Sequence, residues 1–167
     1  NWAYDLIDNA ESVEELKKAL RYTDVHFIDN EHLSLMSKTL EFSHCITDNM
    51  KDGNVDQKPE VKQRILNYFD EVYQLANQHF SHEEILMKKY EFNDYQAHHQ
   101  EHESLLKKIK DLKHNYENNR LYLSENLKRT ILEWWILHTN TVDFRTFVQN
   151  PTRDVREKIM KEVIEHD

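Results

Sequence analysis

The sequence predicts an all-α fold, an antiparallel up-down four-helix bundle with a short extra helix at each end. Three observations carry that expectation. The chain of 167 residues holds one Gly (Gly53) and two Pro (Pro59, Pro151), so it has few sharp turns, which favours long helices over strands. Four long stretches space their apolar and His residues by alternating steps of four and three, the mark of one inward-facing helix stripe. Residues suited to helix starts and stops fall between these stretches.

The elements follow in order. Ser12-Val13-Glu14-Glu15 reads as a capping box, with Ser12 accepting from the Glu15 amide, and opens a lead-in helix over 13–21. Asp29 is suited to cap the first long helix, over 30–50, whose stripe is Ile28, His32, Leu35, Thr39, Phe42 and Ile46. Asp52-Gly53-Asn54 stops it. Pro59 fits the first turn of the second long helix, which runs to 89 with Ile65, Phe69, Val72, Ala76, His79, Glu83 and Leu86 in register. Asn93-Asp94 caps the third, over 94–118, with His98, His102, Leu105, Ile109, Leu112 and Tyr116. Ser124 caps the fourth, over 125–148, with Leu127, Ile131, Trp134 and His138. Asn150-Pro151 ends it, because a residue before proline avoids the helical region. A tail helix over 153–165 carries Val155, Ile159, Met160 and Val163. It is too short to stand alone in water, so it packs on the bundle, pairs with a partner or leads into a further domain. The whole reads as one domain over 1–167 with its core over 25–148.

Composition narrows the function. A net charge of −9 argues against binding nucleic acid through a basic face. No apolar run is long enough to span a bilayer. Residues 1–5 include Asp and lack a basic segment leading into an apolar one, so no signal peptide is expected. The lone Cys45 excludes an internal disulfide and fits a reducing compartment, so a cytoplasmic protein is expected. The absence of a starting Met suggests a processed chain or a piece of a longer one.

Eleven His residues stand out, because His is a poor helix former and most of these fall in helices. His32, His79, Glu83, His98, His102 and His138 lie on the apolar stripes. Buried imidazoles and carboxylates are costly unless paired or metal-bound. His79 and Glu83 are four apart and so share a helix face, as do His98 and His102. His138 and Asp143 are five apart, about 140° around an α-helix, so they flank the inward face instead of stacking. Five imidazoles and two carboxylates without a thiolate suit iron better than Mg, Ca or structural Zn. Seven donors exceed the need of one ion and point to two metals bridged by the carboxylates. His82 and His99 point away from the stripe and read as solvated or supporting residues. His26, His44, His114 and His166 read as surface residues. Glu41-Phe42-Ser43-His44 matches half of a ferritin-like di-iron motif, which needs two copies, and reads as chance.

These stretches resemble bacterial hemerythrins. The matching residues are Ile28-Asp29-Asn30-Glu31-His32, then His79-Phe80-Ser81-His82-Glu83-Glu84 with Met87, then His98 and His102, then Trp134-Trp135-Ile136-Leu137-His138 with Asp143. The resemblance implies two non-haem irons, carboxylate- and oxo- or hydroxo-bridged, that bind dioxygen reversibly and turn over no substrate. It implies one full iron on His98, His102 and His138, an iron with an open position on His32 and His79, and bridges from Glu83 and Asp143. It further implies a sensor module that controls an output domain, such as a diguanylate cyclase, with a homodimer through the terminal helices as a further expectation. The alternatives are a di-iron oxidase or peroxidase, a nitric oxide-binding protein, or iron handling. The chain departs from the family pattern at Glu31, where Gln is usual, at Phe92-Asn93, where an aromatic-Pro pair is usual, and at Thr139, where Ile is frequent.

Overall fold

The computed structural model describes residues 12–50 and 57–164. The described residues form helices and links, with no strand. A one-turn helix, α1 (Val13–Leu16), runs into a 3-10 turn, Lys17–Ala19. Then come α2 (His26–Asn49), α3 (Pro59–Lys89), α4 (Tyr95–Glu117) and α5 (Glu125–Leu137). The last continues through two π-helical stretches, His138–Asp143 and Arg145–Gln149, and α6 (Arg153–Ile159) follows. None of the described helices is long and apolar enough to cross a membrane.

Several helix ends follow from local chemistry. Pro59 opens α3 at its first turn, where a missing N–H costs nothing. Ser124 Oγ accepts from Leu127 N at 3.0 Å to cap α5, and Thr152 Oγ1 accepts from Val155 N to cap α6. Other ends differ from expectation. Ser12 stands at the N-cap of α1 but makes no capping bond with its side chain. Helix α2 starts four residues earlier than predicted, with Val25 as its N-cap. Asp29, expected as the cap, instead sits in the first turn and gathers the loop before it. It accepts from Thr23 N at 2.9 Å, Thr23 Oγ1 at 2.8 Å and Asp24 N at 3.0 Å. That loop turns at Asp24, whose φ of 62° lies in the left-handed region that Asp tolerates. Asp94 likewise occupies the N-cap of α4, yet its carboxylate turns across the bundle to accept from Thr146 Oγ1. The Asp52-Gly53-Asn54 stop and His166 lie outside the described residues.

Helix α3 packs between α2 and α4, and α5 packs against α2. His32 lies in the second turn of α2, His79 and Glu83 near the end of α3, His98 and His102 near the start of α4, and His138 and Asp143 in the π-helical stretch that continues α5. These residues meet at one end of the bundle, which requires successive helices to run in opposite directions.

Two apolar layers border that meeting point. The larger fills the bundle, with Phe42 edge-on to Phe69 at 4.9 Å, and takes in Leu16, Ala19 and Leu20 of the lead-in segment. Within it Trp135, not Trp134, is the buried member of the tryptophan pair, and Leu112 is only half-buried. The smaller layer joins Val25, Phe27, Ile28, Leu86, Met87 and Phe147 to Ile159 of α6. The tail therefore packs on the bundle. Its helix is shorter than predicted, and Met160 and Val163 stay exposed beyond it.

Charge also ties the tail down. Glu162 accepts from Lys89 Nζ at 2.7 Å and from the Tyr90 hydroxyl. These bonds hold the Glu162 carboxyl below its ordinary 4.5. Its contribution is therefore complete above pH 4.5 and is lost as the pH falls through the lowered value. An Ile159→Asp substitution places a charge in the smaller layer and is expected to release residues 153–164 while the four long helices stay folded. Hydrogen exchange should then show the tail amides exchanging fast and the amides of α2–α5 still protected.

Candidate metal centre

The four ligand-bearing helix ends bring seven side chains together: His32, His79, Glu83, His98, His102, His138 and Asp143. Each is 4% exposed or less. They form two donor groups. His98, His102 and His138 join Glu83 and Asp143 in one, and His32 and His79 join the same two carboxylates in the other, with donor atoms of each group within 4.8 Å of one another.

The two oxygens of each carboxylate divide between the groups. Glu83 Oε1 faces His102 Nε2 at 3.0 Å and His98 Nε2 at 3.7 Å, while Oε2 faces His79 Nε2 at 3.4 Å and His32 Nε2 at 3.8 Å. Asp143 Oδ1 faces His98 Nε2 at 2.9 Å and His138 Nε2 at 3.1 Å, while Oδ2 meets His32 Nε2 at 2.8 Å.

The expectation that His138 and Asp143 flank the inward face is corrected here. The backbone from His138 to Asp143 is π-helical. Its i→i+5 bonding closes residue 143 back over residue 138, so both side chains reach the centre. An α-helical period applied to this segment misplaces Asp143 because the segment is not α-helical.

Each imidazole presents Nε2 inward, and three of the five have a hydrogen-bonded Nδ1 partner on the outside. Glu31 is shared between His79 Nδ1 at 2.8 Å and His82 Nδ1 at 2.6 Å. Glu84 is shared between His102 Nδ1 at 2.8 Å and His99 Nδ1. Thr146 Oγ1 lies 2.9 Å from His98 Nδ1 and donates its own hydrogen bond to Asp94. Glu101 stops 3.8 Å from His138 Nδ1, an ion-pair distance and not a hydrogen bond. The hydrogen-bonded partners of His79, His98 and His102 fix the tautomer and raise the basicity of the inward nitrogen.

Sequence reasoning left out Glu31, Glu84, Glu101 and Thr146 as supports. A signal for two of them existed. Each clamped pair, His79 with His82 and His99 with His102, is spaced by three, and each carboxylate adjoins a stripe residue, His32 or Glu83. His82 and His99 prove to be supporting residues. His26, His44 and His114 are exposed, as are Glu41 and His44 of the chance motif.

Electrostatics set the charge states. Burial works against a charged His79, but the Glu83 charge and the Glu31 bond outweigh it and raise the imidazole from 6.5 to about 10. His98 rises to about 9 against the same burial, through Asp143 and Glu83. His138 is also raised well above its ordinary value, chiefly by Asp143. Burial pushes the Glu83 carboxyl up, yet the surrounding imidazoles, His79 first, hold it well below the ordinary range, and Asp143 is lowered in the same way.

The donor set fits metal ions. Nε2 of His79, His98, His102 and His138, both Glu83 oxygens and Asp143 Oδ1 are buried without a hydrogen-bond partner among the described residues. Buried polar atoms without partners are rare, and here they converge on common points. At pH 7 the metal-free His79 and His98 carry protons that a metal must displace, since a ligand imidazole is neutral. Loading is therefore expected to release protons, and affinity to fall as the pH is lowered from about 10. Calorimetric titration in buffers of different ionisation enthalpy checks this.

Residues 23–148 match the family model of the hemerythrin HHE cation-binding domain. No curated protein is significantly similar to the chain. A solved structure of a leucine-to-phenylalanine point mutant aligns with a TM-score of 0.58 at 23% identity, covering 74% of this chain and 87% of that one. That likeness is one of fold.

Proposed function

This chain belongs to the hemerythrin HHE cation-binding family, and on that premise we propose that it is a dioxygen-binding module built on two non-haem irons. One observation carries the reading: Glu83 and Asp143 each give one oxygen to each of two imidazole groups. His98, His102 and His138 would hold one iron with these carboxylates, and His32 and His79 would hold the other. The second group has one imidazole fewer, which leaves room for a small ligand. When bound, the iron pair supplies two electrons to dioxygen and takes them back.

The chain's own residues set the conditions for that exchange. The buried layer excludes bulk water, and the apolar layers on either side keep the dielectric low. Glu31 and Glu84 orient one imidazole of each group through Nδ1. Imidazole-rich ligation favours binding over turnover, so the module is read as a binding protein and not as an oxidase or peroxidase. Nitric oxide is the second ligand that the same open group would accept.

We read the binding as a sensor event. Ile28, Leu86 and Phe147, each within about one turn of a candidate ligand at 1.5 Å rise per residue, form the seat of Ile159 on α6. A change at the centre would thus reach the tail, and from it an output domain or a second copy of the chain. Anaerobic reduction of the iron-loaded protein followed by titration with oxygen tests the reading. A charge-transfer band that appears with oxygen and vanishes on its removal is expected. A ferric form that appears once and never reverses would contradict reversible binding.

A further inference from the structure

Asn140 lies between two of the candidate ligands in sequence, yet its side chain turns to the strap of residues 19–24 that leads from α1 into α2. Asn140 Nδ2 donates to the Ala19 carbonyl at 2.6 Å, and its Oδ1 accepts from Arg21 N at 2.8 Å. One primary amide thus matches both a donor and an acceptor on the strap's main chain, its NH2 donating and its oxygen accepting. Arg21 adds to the grip. Its guanidinium lies 4.4 Å over the Phe144 ring and reaches the Asn140 carbonyl at 3.5 Å. The strap therefore holds the chain on both sides of Asp143. It is itself fixed at each end, by burial of Ala19 and Leu20 and by the bonds from Thr23 and Asp24 to Asp29.

We propose that Asn140 is a positioning residue for the metal centre: its clamp on the strap keeps His138–Asp143 π-helical and so keeps the Asp143 carboxylate between the two donor groups. The inference rests on the metal-centre reading above. An α-helix is the default for this chain, and in α geometry five residues leave Asp143 about 140° from His138. Relaxation to that geometry withdraws one oxygen from each group. The group of His98, His102, His138 and Glu83 keeps four donors, whereas that of His32, His79 and Glu83 keeps three. The effect is asymmetric, and the smaller group loses its ion first.

The test is anaerobic titration of the metal-free chain with ferrous iron in competition with a chelator, on wild type, Asn140→Ala, Arg21→Pro and Arg21→Ala. Arg21→Pro deletes the strap's donor without altering α5. Leu20 before it has φ −85° and ψ 138°, the backbone that a following proline requires. Arg21→Ala removes the guanidinium and keeps the N–H. Wild type is expected to bind two ions. Asn140→Ala and Arg21→Pro should retain the first at native affinity and bind the second about 10- to 100-fold more weakly. Arg21→Ala should stay closer to wild type than Arg21→Pro. Helix content and melting of the metal-free variants separate positioning from folding. Loss of the second ion with unchanged metal-free melting supports the proposal. Native affinity for both ions in Asn140→Ala and Arg21→Pro overturns it, as does loss of both ions together with a lowered metal-free melting temperature in both variants. A wild-type chain that binds no iron overturns the metal-centre reading itself, and the two failures are told apart by the wild-type titration alone.

Discussion

Two carboxylates without solvent exposure, Glu83 and Asp143, set the terms for the rest of the bundle. An ion moved into the protein interior costs several kcal/mol unless countercharges and hydrogen bonds compensate it. Here the compensation comes from five imidazoles on four different helices. That requirement fixes which helix ends must meet, and so fixes the alternation of direction along the chain. It also accounts for the apolar layers on either side, because a wet centre would need no such countercharges. In the metal-free protein His79 and His98, raised far above their ordinary values, carry compensating charge as protons. Metal ions supply the same charge without the protons.

Much of the bundle could be read from the sequence because its helices obey one period. Ile65, Phe69, Val72, Ala76, His79, Glu83 and Leu86 repeat at helical spacing, and all seven are buried on the same face of α3. The six stripe residues of α2 behave the same way. Where the readings failed, bonds to residues outside the helix had overridden the capping preference. Asp29 resembles a cap in isolation but serves the turn at Thr23 and Asp24. Asp94 stands in a cap position, but Thr146, far along the chain, claims its carboxylate. Period analysis also could not separate Trp134 from Trp135, since adjacent residues differ by about 100° and the stripe edge falls between them.

The candidate site was legible to a similar degree. Six of the seven inward donors could be named because polar residues on an apolar stripe need a reason to be there, and Asp143 through the family resemblance. Their supports were missed, because Glu31, Glu84 and Thr146 lie off the stripe, where charged and hydroxyl residues are ordinary. Only the fold shows that Glu31 and Glu84 each bridge an inward and an outward histidine. The π-helical segment was equally hidden. Nothing in His138-Thr139-Asn140-Thr141-Val142-Asp143 marks a change of period, and the bonds of Asn140 run to a strap more than a hundred residues away.

The central claim is that Glu83 and Asp143 are shared between two metal ions. Electron paramagnetic resonance of the oxidised, iron-loaded chain, with iron counted in the same sample, tests it most directly. Two ferric ions joined by shared bridges couple antiferromagnetically. The account predicts two irons per chain and no resonance from isolated ferric ions. One iron per chain with a strong mononuclear high-spin ferric signal would contradict it.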